Sequence, residues 1–463
     1  MITLDSKLTP TNLLPKIVRF WERSAVCIDA IEARLLPGSA SPVFTVDGQY
    51  TAQGWTEWTQ GFQYGSALLQ FDSTGEDKYL RLGRNYTVNV MAPHLTHVGV
   101  HDHGFNNVST YGNLWRLMNE GRIPDDAWQR HFYELALKVS GAVQAARWST
   151  TRDGTGYIYS FNGPQSLFVD TIRSCRALAL AHQLGHALMG ERDEKISLLR
   201  RLVEHATNTA RYNVWYGEGR DAYDVLGRTA HESIFNANNG DYRCPSTQQG
   251  YSPFSTWTRG LAWAMLGFAE LLEWLTTRSD EELDEVSGRD VVEAAFLKPA
   301  RATCDFYIRE TPTDGVPYWD TGAPGLAQLG DYRDRPADPF NGFEPVDSSA
   351  AAIAAQGLLR LGNYLVHERG ETEDGVRYVA GGLTVVNTLL DEPYLSNDTD
   401  HEGLILHSVY HRPNGWDYIP PGRKVPCGES SMWGDYHARE VALYVERLAE
   451  EAPYYTFFGP VRE

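Results

Sequence analysis

WTRGLAWAMLGFAELL, residues 257–272, and DSSAAAIAAQGLLRL, residues 347–361, are the stretches that decide the fold. In the first, Gly260, Ala264 and Gly267 recur at helical spacing; the second is almost entirely small or apolar. A helix with no solvated face is buried on most of its surface. Other periodic segments carry a clear polar face, as in ERDEKISLLRRLVEHATNTARY (191–212) and DDAWQRHFYELALKVSGAVQAARW (125–148). The spacing predicts helices over 10–35, 58–72, 76–93, 104–121, 125–149, 167–190, 192–211, 256–276, 288–311, 346–367, 374–392 and 431–450. Buried and amphipathic members alternate along this series, and runs of alternating β-branched residues are scarce. Six inner helices ringed by six outer ones satisfy the pattern, so the expected fold is all-α, an (α/α)6 barrel. A superhelix of stacked pairs needs a regular repeat period, which the uneven spacings do not supply.

Composition narrows the function. The 463 residues are 42% hydrophobic and 22% charged and read as one domain, 1–463. A formal charge of −19 argues against nucleic acid or an anionic membrane as partner, since both require basic patches. Cys27, Cys175, Cys244, Cys304 and Cys427 lie far apart with no CxxC spacing, which fits reduced thiols. The first residues, MITLDSKLTPTNLLPK, lack a basic segment followed by an apolar one, so the expected setting is cytoplasmic. Thirteen Trp and twenty-five Tyr offer flat faces of the kind that stack on sugars, although large proteins also bury many aromatics.

Each inner helix begins near a polar or aromatic signature: WTQGF at Trp58, HDHGF at Asp102, FVDTI at Asp170, WTRG at Trp257, PVDSS at Asp347 and WGDY at Asp435. In an up-and-down ring these starts share one end and form a cup where a site is expected. Aspartates at helix starts also serve as N-caps, and Asp347 and Asp435 are read so. His101 and His103, two residues apart, leave a helix on different sides, and neither an HExxH spacing nor a third ligand accompanies them; no metal is expected. Asp102 and Asp170 start consecutive inner helices. Two neighbouring carboxylates split their pKa values and make an acid/base pair. Arg259 at the same end is placed to hold an anionic sugar, the alternative being a salt bridge to a local Asp.

With these motifs in their order, the chain resembles the unsaturated glucuronyl hydrolases, glycoside hydrolase family 88, related to the family 105 hydrolases of unsaturated rhamnogalacturonides. The resemblance runs from about Trp58 to about Tyr436 and implies the (α/α)6 barrel. It implies an enzyme that takes lyase-generated oligosaccharides with a 4,5-unsaturated uronic acid at the non-reducing end and hydrates the vinyl ether, with no cofactor. Carried over, the acid/base residue is Asp170 and its carboxylate partner Asp102. The substrate-binding residues are Trp58, His101, His231 in AHES, Gln249 in QQGY, Arg259, Trp263 and Tyr410 in HSVYH. His103 departs from the family pattern. Segments 213–247 and 310–346 are longer than expected and are placed above the cup. The source polysaccharide, sulfate tolerance and the choice between monomer and homodimer stay open. The rivals are a family 105 activity, a sugar epimerase or isomerase using His101 and His231, and a non-catalytic sugar-binding protein.

Overall fold

A computed structural model describes residues 1–35, 40–53 and 58–459. Twelve helical segments account for the core: α1 (Pro10–Arg34), α2 (Gln60–Thr74), α3 (Asp77–Val90), α4 (His103–Asn107, Val108–Gly112 and Asn113–Asn119), α5 (Ala127–Ala146), α6 (Thr171–Ser174 and Arg176–Gln183), α7 (Leu198–Asn213), α8 (Thr258–Thr276), α9 (Arg289–Glu310), α10 (Ser348–His367), α11 (Thr372–Leu389) and α12 (Met432–Ala449). The even-numbered set is the buried one. Every residue of α8 from Thr258 to Leu275 is buried, as is α10 from Ser348 to Gly362. These helices pack in sequence, α2 on α4, α4 on α6, α6 on α8, α8 on α10 and α10 on α12, and α12 packs on α2. The odd-numbered helices lie outside them, α3 on α2, α5 and α7 on α6, α9 on α8, α11 on α10, and α1 on α12 and α2.

Local chemistry sets the helix ends. Thr9 and Asn12 form a capping box at α1, Asp126 caps Gln129 N at α5, Ser197 caps Arg200 N at α7, and Ser431 caps Gly434 N at α12. Asp347 caps α10, as expected, through Ser349 N and Ala350 N. Asp435 is not a cap. It lies within the first turn of α12 and accepts Tyr50 Oη, Leu404 N, Ile405 N and Ser430 Oγ, pinning two loops to that helix.

Two predicted segments are corrected and a third gains a detail. Within 167–190, Ser166–Phe168 is a strand, helix begins only at Thr171 and it stops at Gln183, two residues before left-handed Gly185. Leu188–Met189 and Lys195–Ile196 pair as short strands, so the next helix starts at Leu198 instead of 192. The segment 104–121 is helical with a π turn at Val108–Gly112. The strands that matter to the site are β1 (Ser41–Val46) and β2 (Gln49–Gln53), a hairpin turned by Asp47 and Gly48 at positive φ, and β3 (Ser166–Phe168), β4 (Glu232–Phe235) and β5 (Tyr242–Ser246) in one antiparallel sheet.

The inner helices also share buried charge. Glu440 on α12 accepts Arg173 Nη2 of α6 at 2.9 Å, Gln356 Nε2 of α10 at 3.2 Å and Tyr436 Oη at 2.9 Å. Arg173 also faces Glu270 of α8 at 2.9 Å, and Arg176 lies 3.6 Å from Glu440. Burial alone would raise the Glu440 carboxyl, but the two guanidiniums outweigh it and hold the group far below the carboxylate range. Removing one partner of a buried ion pair leaves the other charge uncompensated. Glu440→Ala should therefore lower unfolding free energy by about 3–5 kcal/mol in urea titrations. A loss of about 0.5 kcal/mol, the scale of a surface substitution, would contradict this role.

Candidate active site

HDHGF starts α4, and its glycine decides how close that start lies to α6. A Cβ on Gly104 would sit 2.3 Å from the Ser174 carbonyl oxygen, so only glycine permits this approach. Gly104 N donates to Ser174 Oγ at 2.8 Å, and Ser174 Oγ and Gln144 Nε2 donate to the His101 carbonyl at 2.8 and 2.9 Å. The two helix starts are thus bolted together with their aspartates on the same side. Neither Asp102 nor Asp170 uses its side chain to cap its helix. Instead, His101 Nε2 stands 3.6 Å from Asp102 Oδ1 and 3.8 Å from Asp170 Oδ1. Both ring nitrogens of His101 and Asp170 Oδ1 are buried without a hydrogen-bond partner within the protein, which is costly unless a ligand completes them.

The charges divide this trio. Burial would lower the His101 pKa, but the Asp102 charge and the contact with Asp170 outweigh it and raise the imidazole above its usual value. Burial, with the Asp170 charge adding, raises Asp102 against the pull of His101. Burial also pushes Asp170 upward, yet His101 and His231 overcome it and hold that carboxyl below the ordinary range. Two carboxylates in nearly identical settings thus carry different proton affinities, with an imidazole of raised proton affinity between them.

His231 follows β3–β4 pairing to its place, since Val169 N donates to its carbonyl at 2.9 Å. Its Nδ1 accepts the backbone N–H of Gln248 at 3.0 Å, which leaves the proton on Nε2, a buried atom with no partner within the protein. Burial lowers its pKa against the pull of Asp170 and Glu232. Gln249 Oε1 accepts Arg259 Nη2 at 2.9 Å. Of the two readings of Arg259, the salt bridge to an Asp is the one its contacts make. Its Nη1 donates to Asp347 Oδ2 at 2.9 Å and to the Val409 carbonyl at 2.5 Å, and its Nη2 also donates to the Tyr410 carbonyl at 2.8 Å. Trp257 and Trp433 flank the guanidinium at 4.6 and 4.9 Å. With both Nη groups engaged, it knots Gln249, the start of α10 and the 409–410 loop together and has no free fork for an anion.

The side chains enclose two joined cavities. The inner one, about 380 Å³, is lined by Trp58, His101, Asp102, Asp170, Gln249, Arg259 and Trp263, with Trp257, Phe105, Phe161 and His97. The outer one, about 910 Å³, shares Trp58, Phe161 and Gln249 and adds Tyr410. Seven of the nine predicted residues therefore meet in the inner cavity. Tyr410 faces the outer one, and His231 stands behind the wall against Phe168 and Trp257, at ring distances of 4.3 and 4.8 Å. Phe161, stacked on His101 at 5.9 Å, belongs to no quoted motif and was missed; Trp257 lay in plain view in WTRG. Phe44 of β1 also lines the outer cavity, and the Asp-Gly turn that brings it there is a hairpin signal.

His103 takes no part in a ligand site. Its Nδ1 meets Ser140 Oγ and its Nε2 meets the His97 carbonyl, both at 3.1 Å, and burial pushes it down to about 4. It is a neutral structural link between α4 and α5. Among the described residues no cluster of three or more His, Cys, Asp or Glu side chains is placed to hold a metal, and no helix is long and apolar enough to cross a membrane. The long segments are not both above the cup. Residues 214–220 pack against α7 and α9 on the flank, and 310–346 backs the start of α8, where Thr258 Oγ1 donates to the Tyr318 carbonyl at 2.9 Å.

No family model matches the chain. Individual relatives do. The chain is 27% identical over 408 residues to the unsaturated glucuronyl hydrolase of Bacillus sp. (strain GL1), spanning 86% of this chain and 89% of that protein. It is 25% identical over 396 residues to the unsaturated glucuronyl hydrolase of Formosa agariphila, spanning 85% and 80%. The crystal structure of the Bacillus sp. GL1 enzyme superposes with a TM-score of 0.67 at 24% identity over 92% of this chain and 97% of that one. The resemblance carried by the motifs is borne out along most of the chain, and the mostly helical fold is shared.

The trio makes a testable electrostatic statement. Asp102→Asn removes the strongest of the influences that raise His101, so the imidazole pKa should fall, read by NMR titration of the histidine ring. The parent's raised value means that protonated His101 stabilises the fold fully below the unfolded imidazole pKa and loses this as pH rises through the folded value. An unchanged His101 titration in the variant would contradict the assigned coupling.

Proposed function

We propose that the chain is a glycoside hydrolase of the unsaturated glucuronyl hydrolase type. It releases a 4,5-unsaturated uronic acid from the non-reducing end of lyase-generated oligosaccharides by hydrating the vinyl ether. The observation that carries this is the placement of His101 Nε2 at 3.6 and 3.8 Å from two carboxylates inside an aromatic-walled cavity. Two carboxyl groups of unequal proton affinity in a site walled by tryptophans suit proton delivery to a sugar.

In this reading Asp170 donates a proton to C4 of the C4=C5 bond. The cation formed at C5 is stabilised by the ring oxygen, and a water, its proton taken by Asp170, adds at C5. The resulting hemiketal opens to a ketone, and the hemiacetal left at C1 expels the rest of the oligosaccharide. Asp102 is the carboxylate partner. In the substrate-free site the two carboxylates raise the proton affinity of His101, while His101 and His231 lower that of Asp170. Entry of the uronate carboxylate adds a third negative charge, which raises the proton affinity of both aspartates, and His101 can then pass its proton to Asp170. Trp58 and Trp263 wall the uronyl ring, the Gln249 amide donates to it, His231 supports Trp257 from behind the wall, and Arg259 positions Gln249. Tyr410 meets the next sugar. The scheme calls for no metal or cofactor.

The same reading takes the twelve helices as an (α/α)6 barrel, supported by the packing of each even-numbered helix on the next and of α12 on α2. It takes residues 1–463 as one catalytic domain, supported by one large hydrophobic cluster running from Ile2 to Phe458 beside a small one of Tyr157, Leu167 and Phe235. It keeps a cytoplasmic setting, supported by five unpaired cysteines.

The test follows the ultraviolet absorbance of the conjugated double bond on a panel of unsaturated disaccharides. The parent should remove the absorbance on at least one member. Asp170→Asn should lose at least about a hundredfold in kcat with an unchanged melting temperature, since it deletes only proton transfer. Near-parental turnover in that variant would reject Asp170 as the acid, and no turnover by the folded parent on any member would reject the function.

A further inference from the structure

We propose that the outer cavity selects a neutral, unsulfated sugar as the residue next to the unsaturated uronate, with Trp416 as its stacking platform. The inference rests on the hydrolase reading above and extends it to the leaving group.

The two cavities meet at Trp58, Phe161 and Gln249, which line both. A sugar linked to a uronyl ring in the inner cavity therefore has to lie in the outer one. Trp416 is 55% exposed, unusual for tryptophan, yet it is held in place: its ring centroid lies 5.3 Å from Tyr410 and 4.8 Å from His411. Tyr410 is in turn stacked on Phe44 at 5.9 Å and set against Trp433 at 5.4 Å. A fixed, solvent-facing aromatic face is suited to the C–H surface of a pyranose.

The charge of the lining is as informative as its shape. Among the described residues lining the outer cavity there is no Lys, Arg, Asp or Glu. His411 is pushed down to about 4 by burial, with the Arg259 and His231 charges adding, so it is neutral at neutral pH. Arg259 has both Nη groups engaged. Arg412, next to His411, is not among the lining residues, and its charge acts on Asp417. The polar groups on offer are amides and hydroxyls, Gln248, Asn414 and Thr51, which match sugar hydroxyls. A sulfate ester cannot shed its charge by protonation. Drawn into this cavity it loses water and gains no cation, which is unfavourable, whereas sites built for such anions present guanidinium or ammonium groups.

The experiment compares three substrates: the methyl glycoside of 4,5-unsaturated glucuronic acid, which needs only the inner cavity, an unsulfated unsaturated disaccharide, and the same disaccharide sulfated on its second sugar. The parent should prefer the unsulfated disaccharide in kcat/KM by about tenfold or more. Trp416→Ala should raise KM for the unsulfated disaccharide by about fivefold, a larger change than it makes for the methyl glycoside. Asn414→Arg, at an exposed position on the same loop, should narrow the preference by restoring turnover of the sulfated substrate. Equal or better turnover of the sulfated disaccharide by the parent, or equal KM changes on both unsulfated substrates in Trp416→Ala, would overturn the inference while leaving the hydrolase reading intact. No turnover of the methyl glycoside or of either disaccharide would overturn the hydrolase reading, and this inference with it.

Discussion

Glu440 is the carboxylate on which the inner helices converge. Fully buried on α12, it is countered by Arg173 and Arg176 from α6 and bonded by Gln356 of α10, while Arg173 reaches Glu270 of α8. Arg176 carries the same layer into α4, donating from Nε to the Gly104 carbonyl at 3.0 Å and from Nη2 to Ser109 Oγ at 3.2 Å. Ions buried in this way contribute little net stability against a well-packed apolar core. What they supply is register, because each charge is satisfied only when α4, α6, α8, α10 and α12 sit at the right height. A second knot, Asp72 with Arg116 and Arg447, does the same where α2, α4 and α12 end.

The site stands directly on this layer. His437, one turn before Glu440, is buried and pushed down to about 3 by desolvation, so it is a neutral ring. Trp263 packs against it at 4.9 Å, and Phe105 of HDHGF packs on Trp263 at the same distance. The floor of the inner cavity is thus aromatic, with paired charge beneath. Above it, Gly104 allows α4 to touch α6, and the shared Ser174 hydroxyl fixes His101 between the two aspartates. Reactive groups are carried on helix starts, while the β1–β2 hairpin and loops supply the outer cavity.

Much of this was legible in the sequence because burial leaves a compositional trace. The all-round apolar character of 257–272 and 347–361 announced buried helices, and alternation with amphipathic segments gave their number. HDHGF and FVDTI disclosed the aspartates because polar residues at the start of an otherwise apolar helix require a reason. The sequence was silent where local pattern and tertiary pairing conflict. The segment from 167 reads as helix from its first residue, yet Ser166–Phe168 is drawn into a sheet with Glu232–Phe235, a partner more than sixty residues away. Arg259 shows a second limit. Its residue type and place suited an anion clamp, and only the coordinates reveal that Asp347, Gln249 and two carbonyls already use it. Phe161 shows a third, since one aromatic in a short turn has no pattern to betray it.

The central claim is that water adds across C4=C5 and not at the anomeric carbon, and the reaction run in heavy water tests it most directly. With an unsaturated disaccharide and NMR at early turnover, the account predicts one deuterium delivered to a single face of C4 in the released sugar, as the double bond disappears. Release of the second sugar with the C4=C5 bond intact and C4 unlabelled would contradict it, and would return the two aspartates to attack at the anomeric centre.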